Sequence, residues 1–104
     1  MEFSIKERIV LLFSLPTEGN ITALKIMRKM REDLSFSEEE HKEFKLVIEN
    51  NKAPTWDYEN QTKKDIPIGE KATDIIKDML QKLDREQKLT IDHMALWEMF
   101  MEDK

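Results

Sequence analysis

In the second half of the chain, apolar side chains return at helical spacing. Ala72, Ile75, Ile76, Met79, Leu80 and Leu83 recur at steps of three and one. With 3.6 residues per turn, that spacing puts them on a single stripe. Pro67 and Gly69 punctuate the start, so the pattern predicts a helix from Gly69 to Gln87. A second block, Thr90 to Met101, carries Met94, Ala95, Leu96, Trp97, Met99, Phe100 and Met101 and leaves few positions polar. A helix apolar nearly all round is normally covered on more than one side. Lys88-Leu89 joins the two blocks tightly, and the resulting helical hairpin is expected to be the wall on which the rest of the chain folds.

The first half reads as three shorter helices. Ser4 followed by Glu7 has the capping-box spacing, in which each side chain satisfies the other's free backbone amide. Ile5, Ile9, Leu12 and Phe13 then share a face that Val10 and Leu11 broaden, and Leu15-Pro16 stops the helix. Thr17 to Asn20 is turn chemistry, after which Asn20 or Thr22 caps a second helix. Its stripe is Leu24, Met27, Met30 and Leu34, helped by Ala23 and Ile26. Ser37 and Glu40 repeat the capping-box spacing and open a short third helix ending near Phe44. Glu38, Glu39 and Glu40 crowd its first turn, where the helix dipole favours negative charge.

Beyond Phe44 the period changes. Phe44, Leu46 and Ile48 alternate with Lys45, Val47 and Glu49, which suits a half-buried strand. Asn50 to Pro54 reads as a turn, and Thr55-Trp56-Asp57-Tyr58 as a return strand rich in β-formers. Asp65-Ile66-Pro67-Ile68 fits a short extended edge piece. The sum is a mainly α (α+β) fold: about five helices with one small antiparallel β-hairpin between the third and fourth. The element order of its first part is winged-helix-like. No repeat, low-complexity tract or long linker divides residues 1–104, so a single domain is expected.

Composition narrows the chemistry. The absence of cysteine removes disulfides, thiolate nucleophiles and cysteine-ligated zinc. No apolar run approaches the roughly 18 residues of a membrane span, so no membrane contact is expected. The Ile9–Phe13 patch is too short, and too acidic around Glu2 and Glu7, for a signal peptide; a cytoplasmic location is expected. Gly19 and Gly69 are isolated, which excludes a glycine-rich phosphate loop. His41 and His93 lie on different helices and no serine sits in an elbow motif. The three glutamates beside His41 fan around their helix rather than converge, so no metal is expected there. Asp57, flanked by Trp56 and Tyr58, is the most site-like group, but a hairpin packing its aromatics on the helices is the better account of it. Nothing here reads as an enzyme, and neither a cofactor nor a metal is expected.

Several segments resemble small proteins encoded by bacteriophages and prophages: Leu34-Ser35-Phe36-Ser37-Glu38-Glu39-Glu40, Trp56-Asp57, Ile68-Gly69-Glu70-Lys71-Ala72, and Lys88-Leu89-Thr90 before Trp97–Phe100. These are caps, turns and core positions spread over most of the chain. The resemblance implies no activity and no site residue; what it implies is an accessory protein working by contact.

Two functions follow as expectations. The first is a non-enzymatic protein that binds a protein partner or itself through Met94, Trp97, Phe100 and Met101 of the last helix, or through its acidic surface. The second is a winged-helix-like nucleic-acid binder using Lys25, Arg28, Lys29, Lys63 and Lys64. The net charge of −5 and the glutamates opening the third helix disfavour the second through phosphate repulsion. A gel shift at low salt separates them. Free DNA mobility is expected, and retardation would favour the basic residues.

Overall fold

The computed structural model describes residues 1–102. Its elements are β1 (Glu2–Ser4), α1 (Ile5–Ser14), α2 (Ile21–Leu34), α3 (Glu38–Phe44), β2 (Lys63–Asp65), α4 (Glu70–Arg85), a 3₁₀ turn (Ile91–His93) and α5 (Met94–Met101). The fold is mainly α, with five α-helices and one two-stranded antiparallel sheet among the described residues.

The caps form where the spacing placed them. The Ser4 hydroxyl accepts from the Glu7 amide at 3.2 Å, while the Ser4 amide donates to Glu7 Oε1 at 2.9 Å. Ser37 and Glu40 do the same at 3.1 and 3.0 Å, and Asn20 Oδ1 accepts from Ala23 at 2.8 Å. Each cap satisfies amides that the first helical turn leaves without partners.

α1 divides the interior into two clusters. Leu11 and Leu15 face the larger one with Phe3, Met27, Met30, Leu34, Ile76, Leu80, Leu96 and Phe100. Ile5 and Ile9 face a smaller one with Phe44 and Leu46, flanked by Phe36 and Trp56. The expected apolar face of α1 is therefore rotated. Leu11 is buried, whereas Phe13 is 57% exposed. At 100° per residue Phe13 falls outside the arc that spans Leu11, Leu15, Ile5 and Ile9. Leu24 of α2 likewise lies at the exposed edge of its stripe. α4 follows its pattern closely, burying Ala72, Ile76, Met79 and Leu80.

The sheet joins segments far apart in sequence. β1 runs antiparallel to β2, pairing Phe3 with Lys64 and Ser4 with Lys63. Phe3 is fully buried and its ring stacks on Phe100 with centroids 6.3 Å apart, so the strand is held from its inner face. The segments expected to form a hairpin, Phe44–Ile48 and Thr55–Tyr58, meet instead at one antiparallel bridge between Val47 and Thr55. α3 extends to Phe44, and Lys45 then turns left-handed at φ 54°. Of the alternating residues past that turn only Leu46 is buried, while Ile48 is 43% exposed. One inward side chain is too little to hold an isolated two-stranded ribbon.

This packing separates two phenylalanines by their cost of removal. Phe100→Ala empties a core position and should destabilise by about 3–5 kcal/mol. Phe13→Ala, at the surface, should stay within about 0.5 kcal/mol. Urea unfolding followed by circular dichroism measures both.

Candidate functional site

The end of α4 and the 3₁₀ turn converge on α5 and leave a cavity of about 270 Å³ at the surface. Trp97 and Met94 form its apolar wall, and His93 and Thr90 lie at its edge. Asp84, Glu98 and Glu102 set three carboxylates around it. None of the three is in an ion pair among the described residues. They are also too dispersed to chelate: among the described residues no group of three or more His, Asp and Glu side chains is gathered tightly enough to hold a metal ion. An aromatic face with carboxylates beside it suits an organic cation, which the ring quadrupole and the charges attract together.

His93 is fully engaged within the fold. Its Nδ1 accepts from the Thr90 amide at 3.0 Å, which places the proton on Nε2. Nε2 then donates to Ser14 Oγ at 3.0 Å, tying the edge of the cavity to α1. With its one lone pair committed to the backbone, this imidazole has none to offer a substrate as a base.

The four expected interface residues do not share one fate. Phe100 is buried against Phe3 and belongs to the core rather than to a contact surface. Met101 is half-buried against the same cluster. Trp97 is half-buried with one side on the cavity, and Met94 is 59% exposed. A contact face on α5 thus reduces to Met94 and Trp97, extended by the acidic residues Glu98 and Glu102 that the apolar pattern did not single out.

The basic residues are split between elements. Lys25, Arg28 and Lys29 are exposed on α2, and Lys63 and Lys64 are exposed on β2. Lys29 is engaged by Asp33 at 2.9 Å, and Lys64 is one of the charges acting on Glu40. Lys25 and Arg28 have no ion-pair partner among the described residues; with Ile21 and Leu24 they line a shallow depression on α2.

Trp56 and Tyr58 do pack together, their rings crossing at 63° with centroids 4.7 Å apart. They wall a groove beside Lys6 and Asp92, whose charges pair with each other at 3.1 Å. Asp57 is a local cap: its Oδ1 accepts from the Glu59 amide at 3.1 Å, and its own amide donates to Phe44 O at 2.8 Å.

The strongest electrostatic feature lies elsewhere and was not singled out from the sequence. Arg8 is 1% exposed, in the middle of the buried arc of α1. Its guanidinium donates to both Glu40 oxygens, at 2.7 and 3.3 Å, and to Ser35 O at 2.8 Å. It also lies 3.9 Å over the Phe36 ring, while its buried Nε has no partner. The hydrogen bonds from Arg8 hold the Glu40 carboxyl down at about 2 against an ordinary 4.5, and burial opposes them only in part. A perturbed carboxyl often marks an active site. Here it is sealed against an arginine, which makes it a structural clamp. The legible signal was a lone cation at the i+3 position from Ile5 and the i−3 position from Leu11. What the sequence leaves open is which of 22 acidic residues answers it.

No family model, curated protein sequence or solved structure matches the chain.

The clamp predicts a pH-dependent loss of stability. The folded carboxyl titrates near 2 and the unfolded one near 4.5, so the contribution of Glu40 is complete above the upper value and is lost as pH falls towards the lower. Glu40→Ala strands a buried charge and should cost about 3–5 kcal/mol at neutral pH. In urea titrations across that acid window, the gap between wild type and variant should narrow as pH falls.

Proposed function

We propose that the chain is a non-enzymatic accessory protein of the phage or prophage kind, acting through protein–protein contacts at the cavity around Trp97. One observation carries the reading: an indole and a methionine stand beside three carboxylates that no cation of the described chain neutralises. A lysine or arginine of another protein meets both demands. Its methylene stem covers Met94 and Trp97 while its charged head reaches Glu98, Glu102 or Asp84. The resemblance of the caps and turns to small phage proteins supports the setting. The non-enzymatic part is supported by His93, whose ring nitrogens are both committed inside the fold.

Nucleic-acid binding is less well supported. The exposed cations of α2 and β2 sit on separate elements, and Lys29 is answered by Asp33.

A short peptide carrying lysine and arginine beside leucine is the probe. Added to isotope-labelled protein up to about 1 mM, a range that detects weak contacts, it should shift the Trp97 indole and Glu98 amide resonances saturably. Trp97→Ala should abolish saturation, and an acidic peptide of equal length should leave the spectrum unchanged. Absence of any shift around Trp97 with the basic peptide would overturn the proposal.

A further inference from the structure

The chain itself carries a surface complementary to this cavity. On α2, Ile21, Leu24, Lys25 and Arg28 follow one another at i, i+3, i+4 and i+7, and all four are exposed. On α5, Met94, Trp97 and Glu98 occupy i, i+3 and i+4, and Glu102 follows as the extended C-cap residue on the same cavity. Each helix thus presents two apolar side chains followed by two charges of one sign, and the signs are opposite. With a rise of about 1.5 Å per residue, Lys25 and Arg28 are roughly 4.5 Å apart along their axis, while Glu102 lies four residues past Glu98 as the extended residue that ends α5. Laid side by side in the same direction, the helices set Ile21 against Met94, Leu24 against Trp97, Lys25 against Glu98 and Arg28 against Glu102.

We infer that the partner at the Trp97 cavity is a second copy of this chain, which seats the Ile21–Arg28 face of its α2 against α5. This rests on the contact function proposed above and names its occupant. Within one copy, Lys25 and Arg28 repel each other across a turn, and Glu98 and Glu102 bring like charge to one cavity. Docking sets an opposite charge beside each like-charged pair and offsets its repulsion. Arg28 is the cation best suited to an aromatic neighbour, since its planar guanidinium stacks on an indole face. With one such contact per pair the arrangement is head-to-tail: one copy keeps its cavity free and the other keeps its α2 face free. Such a contact continues into chains unless its rotation closes a ring. A single helix-on-helix contact is small, so the association is weak and concentration-dependent.

Sedimentation of the full chain with charge-reversed pairs tests this. Wild type should show an average mass that rises with concentration towards about 1 mM, and that returns to monomer in about 0.5 M salt, where exposed charges are screened. Lys25→Glu with Arg28→Glu should weaken association at least about tenfold, as should Glu98→Lys with Glu102→Lys. Mixing these two variants in equal amounts should restore association, because each then supplies the charge the other lacks. All four positions are exposed, so helical circular dichroism should be unchanged. If a reversal unfolds the chain, Lys25→Gln with Arg28→Gln replaces it, and loss of salt-sensitive association is the expected result. A strictly monomeric wild type, unchanged association in both charge-reversed variants, or a mixture that stays monomeric would each overturn the inference. If the basic peptide still binds at Trp97 in that case, the contact function stands and only the identity of the partner falls. If neither is seen, both fall together.

Discussion

The ion pair between Arg8 and Glu40 is the constraint on which the first half of the molecule depends. A guanidinium placed in the middle of an apolar helix face must either be neutralised on the spot or force the helix to turn outward. Glu40 neutralises it with a short hydrogen bond, Ser35 O adds a second acceptor, and the Phe36 ring covers the flat face. Glu40 also serves the backbone of Ser37, so the carboxylate that answers Arg8 is the one that starts α3. One interaction thereby sets the position of α1, the end of α2 and the first turn of α3. Because Arg8 without Glu40 would be a buried charge without an ionic partner, its position depends on α3 being in place.

That clamp also separates the two apolar clusters along α1, and the separation shapes the outer surfaces. The larger cluster draws in Leu96 and Phe100, which turns α5 so that Met94 faces outward and Trp97 lies half-buried between the cluster and the cavity beside the end of α4. His93 links this corner back to α1 through Ser14, so the cavity edge is braced by the same helix that carries Arg8. The acidic cavity and the basic face of α2 are thus displayed by one framework. Their opposite charges are the complementarity on which the proposed contact between copies rests.

Legibility from sequence differed from one element to the next, and for identifiable reasons. The stripe of α4 was readable because Ala72, Ile76, Met79 and Leu80 obey one helical period with one neighbour surface to satisfy. The caps at Ser4, Asn20 and Ser37 were readable because capping chemistry is local, spanning three residues. β1 was not, since three residues carry no period and the strand exists only because Phe3 reaches Phe100 across the chain. The cavity was half legible. The apolar excess of α5 pointed to Met94 and Trp97, but Asp84 joins them only once α4 folds back.

What the sequence determined by itself, then, was everything governed by short range: helix periods, caps, stops, and the excess of apolar surface on the last helix. Those properties depend on neighbours within a turn or two, where spacing alone dictates geometry. Tertiary structure decided the rest. It chose Glu40 among many carboxylates for Arg8, sent Phe100 inward and Met94 outward, and paired residues 2–4 with 63–65 in place of a local hairpin. Each of these is a choice among distant partners, and burial settles it: a charge or a ring takes the partner that removes the most unfavourable contact with water or with an apolar wall.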